Sequence, residues 1–482
     1  MHLRLRALAG LLLAGTASLA LAGAAHAAAP QPNDTDSRLR ALEQELDDVN
    51  TQLGDLKRSQ SDQYGDVNRQ IGSLPTVKLA NGRPTFATAD GEFSLAIRSL
   101  VQFDTAYYAQ GKAPAGTDFS SGTDFRRARI GVEGTVFKDW SYQFIYDFGG
   151  SGIEASTISS AFIQYNGLGP VHIKAGAFPP PESFDDTTSA ADLLFLERAQ
   201  PTDLARGIAG SDGRKSAAIF AYDDNYFVSV AYTGGLVGDA AVFDQQEAIV
   251  DRAAYRFILA PDVNFAVGAD STYVFKPADT AAGANSPTAI RLRERPELNV
   301  DSESLRLIDT GTLDASDLLE WGIEATGNWH SLYAQGGYFN YQVDRRTGPL
   351  LDPSFDGWYV QASWVLTGES KTYNPATGSY TVPKPTDAFR FDKPGIGAWE
   401  VAARYSDLNL DYDAGAPGSA KAASGIRGGD QRIWTVGLNW YPNNAIRLVL
   451  DFQHTDVSRL NNAGGGLDAR LDAVSLRTQL SL

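Results

Sequence analysis

Cysteine is absent from the 482 residues, which excludes a disulfide framework, a thiolate metal site and a cysteine nucleophile. Histidine occurs five times, and His2 and His26 lie in the N-terminal leader. The remaining three, His172, His330 and His454, fall on different predicted strands with no Ser/His/acid set, so nothing supports hydrolytic or zinc chemistry. No run of about 20 apolar residues follows residue 29, which excludes a bundle of membrane-spanning helices. Basic residues are outnumbered, 41 Lys and Arg against 58 Asp and Glu, for a formal net charge of −17. The leader carries Arg4 and Arg6 and no acid, so the exported chain is more acidic still. A surface of that sign repels nucleic acid and anionic lipid, yet it leaves open a local basic lining.

Residues 1–27 have the three parts of a secretory signal: Arg4 and Arg6, an apolar stretch from Leu8 to Leu21, and the A-x-A site Ala25-His26-Ala27. The stretch is short for a membrane anchor and ends in small residues. Residues 28–71 follow as a polar segment and then a helix. Leu39, Leu42, Leu46, Val49, Leu53 and Leu56 alternate spacings of three and four, an a/d heptad seam. So narrow a seam does not hold a lone helix in water. The expectation is therefore a short periplasmic coiled coil between copies of the chain; a helix lying on its own domain is the alternative. Residues 72–91, with Pro75 and Pro84 and no periodicity, read as a linker.

From residue 92 the apolar period changes from 3.5 to 2. Leu95, Ile97, Val101, Phe103 and Tyr107 alternate with Ala96, Arg98, Gln102 and Asp104. Sixteen such runs occur: 93–108, 124–137, 140–150, 157–166, 170–178, 215–222, 225–233, 249–260, 263–275, 319–327, 330–345, 356–368, 396–409, 430–441, 445–457 and 469–482. Short turns such as Lys138-Asp139, Asp223-Asp224 and Pro261-Asp262 alternate with long loops such as 109–123, 179–214, 276–318 and 410–429. Strands with one apolar face, joined by short turns at one end and long loops at the other, specify a 16-stranded antiparallel transmembrane β-barrel in the bacterial outer membrane, facing lipid outward. One connection, 369–395, is long where a short turn is due. Trp140, Trp329, Trp440 and Tyr441, near the turns, are expected in the interfacial aromatic girdle. Loop 179–214, with Pro179-Pro180-Pro181, is long enough to cap the mouth or fold inward.

An anion filter needs closely spaced cations, and arginine suits it because its planar fork binds oxyanions in pairs of hydrogen bonds and stays charged. Ile130 and Val132 set the outward phase of the second run, so Arg127 and Arg129 point inward. Arg126 falls on the nominally outer face, but near a strand end it has room to reach round to the lumen. Arg98 points inward in the first run. Arg291, Arg293 and Arg295 recur at i, i+2 and i+4, about 7 Å apart on one side of an extended segment. That spacing fits a ladder of shallow anion sites, and equally a basic stripe paired with Glu294 and Glu297. The acidic runs Asp185-Asp186 and Asp407 to Asp413 read as solvated loops, so no metal site is expected.

These segments resemble the phosphate-selective porin O/P family. The resemblance rests on Phe125-Arg126-Arg127-Ala128-Arg129, Phe195-Leu196-Glu197-Arg198, Arg295-Pro296-Glu297, Ile308-Asp309-Thr310-Gly311, Trp364-Val365-Leu366-Thr367-Gly368-Glu369, Gly397-Ala398-Trp399-Glu400 and Gly437-Leu438-Asn439-Trp440-Tyr441. It covers about 92–482 and leaves the coil outside. It implies a homotrimeric 16-stranded barrel with an arginine ladder leading to a narrow anion-binding eyelet. The eyelet pair falls on Arg126 and Arg127, the third-loop arginine on Arg198, and the ladder on Arg291, Arg293 and Arg295. The sequence departs from the family at Leu100, Ser159 and Asp186, and Arg129 stands where an aromatic is usual. The expected activity is passive diffusion of small anions, phosphate or a related oxyanion, with no cofactor and no catalytic residue. The alternative is a porin for a sugar or organic acid, for which lumen-facing tryptophan would be the mark.

Overall fold

The structure, a computed structural model, describes residues 34–482 apart from 81, 115, 151–156, 240–242, 284–285, 302 and 347. The expected leader lies outside the described residues. The chain forms two units, one ending at Ser73 and one spanning Leu74–Leu482.

In the first unit, helix α1 (Asp34–Ser73) runs unbroken for 40 residues. Its apolar seam is bare: Leu39, Leu42, Leu46, Val49, Leu53 and Leu56 are all exposed.

The second unit is a closed antiparallel barrel of sixteen strands. The first eight are β1 (Ser94–Lys112), β2 (Gly122–Val136), β3 (Trp140–Asp147), β4 (Thr157–Leu168), β5 (Val171–Ala177), β6 (Arg214–Tyr222), β7 (Tyr226–Leu236) and β8 (Glu247–Ala260). The rest are β9 (Val263–Lys276), β10 (Leu313–Trp329), β11 (Leu332–Arg345), β12 (Ser354–Val365), β13 (Ala398–Tyr412), β14 (Ile426–Tyr441), β15 (Ile446–Ser458) and β16 (Ala469–Ser481). Each pairs with its chain neighbours, and β16 closes the ring on β1, with Val474 opposite Tyr107. All sixteen runs of the sequence are strands. Two readings change. The stretch expected to be a linker holds a hairpin, Thr76–Ala80 with Arg83–Ala87, whose second strand pairs with β1. The run Asp407 to Asp413 is not a solvated loop but lies mostly in β13, where Asp407 meets Arg432.

The barrel is polar inside and apolar outside. Phe144, Ile163, Val230, Phe265, Val360, Val436, Leu450 and Leu476 are exposed, while Gln102, Asp104, Arg404, Gln431, Asn439 and Arg477 are buried. Only a lipid surround makes this inversion stable, because closed strands satisfy the backbone and apolar side chains meet acyl chains. Trp140 and Trp329 are exposed beside the short turns, and Trp440 stacks on Trp399 at 5.3 Å. Tyr441 is not in this girdle. Adjacent strand residues face opposite ways, so Tyr441 turns inward and its hydroxyl donates to Glu400 Oε2 at 2.6 Å. Replacing Phe452, on the outer face of β15, by arginine is expected to cost about 2–4 kcal/mol of folding free energy in liposomes. A denaturant titration that shows no loss would place that face away from lipid.

Candidate functional site

Three loops fold into the lumen among the described residues, one of them 277–312, whose Glu297 meets Arg404 and whose Pro296 carbonyl accepts from Gln453. The third long loop, 178–213, carries the helical turn α2 (Phe184–Thr187) and helix α3 (Gln200–Ala209). Apolar anchors hold it inside: Phe178, Phe184, Leu193, Phe195 and Leu196 are almost fully buried. Asp185 and Asp186 are buried with it, which corrects the solvated-loop reading. Asp185 Oδ2 accepts from the Ala199 amide at 3.2 Å and from Thr202 Oγ1 at 2.8 Å, and Asp186 pairs with Arg206 at 2.7 Å.

The long connection 366–397 enters from the opposite end, which explains why no short turn stands there. Its hairpin, Thr372–Asn374 with Ser379–Thr381, buries Tyr373 and Tyr380. Arg252 of β8 donates to the Thr377 and Gly378 carbonyls at 3.0 and 2.8 Å. Ser379 Oγ reaches the Thr187 carbonyl at 3.2 Å, so this hairpin and the third loop touch. Gly378 has φ +60°, and a Cβ there would lie 3.0 Å from Arg252 Nη1.

On the long-loop side, a cavity of about 650 Å³ gathers Arg126, Arg127, Arg129, Arg206, Arg291, Arg293, Arg295 and Arg306 against Asp147, Asp203, Asp212, Asp239 and Glu294. Arginines outnumber acids, so the lining is net positive. Six of the eight arginines expected from the sequence to bind anions line this one cavity. The other two do not. Arg98 pairs with Glu133 at 3.0 Å, towards the short-turn end. Arg198 is buried in the third loop and donates to the carbonyls of Asp185, Asp186 and Thr188 at 3.1, 3.0 and 2.8 Å. It braces the end of α2, and Arg206 of α3 lines the cavity instead.

Arg126 faces inward because of a β-bulge. The β1–β2 register shifts between Gln102 and Phe103, which oppose Arg127 and Phe125, so Arg126 is the extra residue. The bulge lets two adjacent arginines share the inner side of one strand. Both approach Glu197 of the third loop: Arg126 Nε at 2.8 Å and Arg127 Nη2 at 3.9 Å. Arg477 of β16 is a third cation there, 3.2 Å from Glu197 and 2.6 Å from Asp104. Burial by itself would raise the Glu197 carboxyl, but the three guanidiniums hold it far below the usual carboxylate range. Arg127 Nη1 donates to Gln102 Oε1 at 2.8 Å, while its buried Nε has no hydrogen-bond partner among the described residues.

The remaining cations divide into held and free. Arg129 and Arg206 bracket Asp212, the first also reaching Asp147 at 2.7 Å. Burial opposes ionisation of Asp212, yet the two arginines pull its carboxyl far down. Arg291 is bound through two nitrogens by Asp309, an acid absent from both sequence alternatives, and Glu297 is taken by Arg404. Arg293 is exposed, with no side-chain partner among the described residues. Ser159, at a departure from the family, lines the same cavity. Arg477 sits on the inward phase of the last run. The seam that sets it beside Asp104 joins the two ends of the barrel, so local pattern did not single it out.

A family model described as phosphate-selective porin O and P matches residues 97–482. Porin O of Pseudomonas aeruginosa is 24% identical over 407 residues, spanning 79% of this chain and 87% of that protein. An uncharacterised protein of Caulobacter vibrioides is 26% identical over 427 residues, 85% of this chain and 78% of that one. Among solved structures, OprB of Pseudomonas putida has a TM-score of 0.49 at 9% identity, covering 80% of this chain and 94% of that one. The outer-membrane channel DcaP of Acinetobacter baumannii has a TM-score of 0.42 at 11% identity, covering 81% and 97%.

Burial, then the neighbouring Asp203, push the Glu294 carboxyl up to about 8. Below that pH it is neutral and the cavity keeps its full positive excess; above it, one more negative charge faces the arginines. Anion over cation selectivity, read as reversal potential in a salt gradient, is therefore expected to fall as pH rises through about 8. Glu294→Gln is expected to flatten that change, and a profile that the variant leaves intact assigns the titration to another group.

Proposed function

The chain belongs to the phosphate-selective porin O and P family, and on that premise we propose that this outer-membrane porin is an anion-selective diffusion channel for phosphate or a related oxyanion. The carrying observation is the excess of arginine over acid in the cavity lining, eight against five. Beside it Arg126, Arg127 and Arg477 surround Glu197, with Asp104 on Arg477 and Asp124 near Arg126. An arriving oxyanion supplies the charge that the protein leaves out. Arg127, whose Nε has no hydrogen-bond partner among the described residues, and exposed Arg293 both have donors to offer, and a planar fork gives a tetrahedral oxyanion two parallel hydrogen bonds. Arg291, Arg293 and Arg295 lead to it from the mouth. They are shallow sites, and an ion that binds weakly at several places moves on.

A sugar channel has less support. All eight tryptophans of the chain, among them Trp321, Trp358 and Trp434, lie on the outward phase of their strands. None presents an indole face to the lumen. We further propose that the porin is a homotrimer and that α1 contributes to its assembly, because the seam of α1 is exposed along its length.

The test is planar-bilayer recording with phosphate titrated against a chloride current. Phosphate is expected to block, and Arg127→Ala or Arg293→Ala to raise the half-blocking concentration about tenfold, the worth of one charged hydrogen bond. Cation selectivity, or a current indifferent to phosphate, overturns the reading. Deleting residues 28–71 is expected to lower the temperature at which trimers dissociate on electrophoresis. An unchanged temperature removes α1 from assembly.

A further inference from the structure

Three carboxylates that do not line the arginine cavity meet behind the third loop. Glu182 comes from that loop, Asp270 from β9 and Glu320 from β10. They are 0%, 5% and 0% exposed. One oxygen from each lies within 4.8 Å of the others. Glu182 Oε2, Asp270 Oδ2 and both oxygens of Glu320 have no hydrogen-bond partner among the described residues, and none of the three side chains has an ion pair there. The guanidiniums that reach this region are held elsewhere. Arg206 pairs with Asp186 and Asp212, and Arg252 donates to Thr187, Thr377 and Gly378.

A carboxylate removed from water must be paired, protonated or metal-bound. Here three share one place, and no guanidinium forms an ion pair with any of them among the described residues. Their oxygens are hard donors, and no nitrogen or sulfur ligand accompanies them, which favours calcium over zinc. Calcium binds oxygens at about 2.3–2.6 Å in irregular geometry, so two of its ligands lie up to about 5 Å apart, a span that holds this set. Thr272 supplies a fourth oxygen. Its Oγ1 donates to Glu182 Oε1 at 3.1 Å, leaving its lone pairs free.

We propose that Glu182, Asp270 and Glu320 form a calcium site that clamps the third loop to strands β9 and β10. The ion replaces charge repulsion at the root of the loop with three bonds to one centre. It holds the segment before α2 against the wall, on the far side of the loop from the contacts of Glu197. This site is separate from the anion path, so it stands or falls independently of the selected solute.

The experiment uses the whole protein in detergent, stripped with EDTA and titrated with terbium and then calcium. Tyrosine-sensitised terbium emission and the thermal unfolding midpoint are read together. Calcium is expected to displace terbium and to raise the midpoint. Glu320→Gln and Glu182→Gln are each expected to weaken calcium binding about tenfold or more, since ligand charge sets affinity in such sites. Asp407→Asn, outside the cluster, is expected to keep the affinity of the parent protein. If Glu320→Gln does not fold, Glu182→Gln, in the loop, decides the matter. A midpoint indifferent to calcium overturns the proposal, the carboxyls then being neutralised by protons. Unchanged calcium affinity in both variants also overturns it, the ion then sitting elsewhere.

Discussion

The arrangement of this porin hangs on one carboxylate. Glu197 leaves the third loop and meets Arg126, Arg127 and Arg477. Those arginines belong to β2 and β16, two strands that flank β1. The contact therefore ties the inward loop to the seam where the chain closes on itself. Breaking a buried pair of this kind by removing one partner costs about 3–5 kcal/mol. Three guanidiniums meet on that one acid, so it holds the loop and the barrel seam together at a single point.

The lumen is divided by charge. Arginines of β2, β13 and β16 stand near Glu197, and acids of β9 and β10 stand behind the loop. The loop reaches both, carrying Glu197 and Glu297-facing Gln200 towards the first group and adding Glu182 as a third acid to the second. A sixteen-stranded barrel is wide enough to need such filling. The hairpin of 366–397 fills from the other end and meets the loop at Thr187. Aromatic packing supports that junction: Tyr373, Tyr380 and Tyr333 form edge contacts around it.

Several misreadings of the sequence share one cause, which is that a side chain's face depends on its partners in space. Arg126 lies on the outer phase by counting and turns inward through a bulge that only the pairing with β1 creates. Tyr441 reads as an interfacial aromatic beside Trp440, but strand alternation sends it to Glu400. Asp185 and Asp186 look like solvated acids and instead accept from Ala199, Thr202 and Arg206. Arg198 matches the family's loop arginine and spends its donors on the loop's own carbonyls. The stretch 74–91 showed no period because its two strands are only five residues each.

The sequence by itself determined the number of strands, their inner and outer faces and the end at which the long loops lie. These follow from local physics: side chains alternate in a strand, and lipid sorts one phase from the other. It also brought most of the cavity arginines to notice through their clustering at 126–129 and 291–295. Only the tertiary structure decided which of those charges are balanced. Arg477 and Asp104 are paired across barrel closure and Arg404 and Glu297 across the lumen, while Glu182, Asp270 and Glu320 are gathered unbalanced behind a folded loop. Those groups lie far apart in the chain, and a charge's partner is set by distance in space. Periodicity carries no information about that distance until the ring has closed.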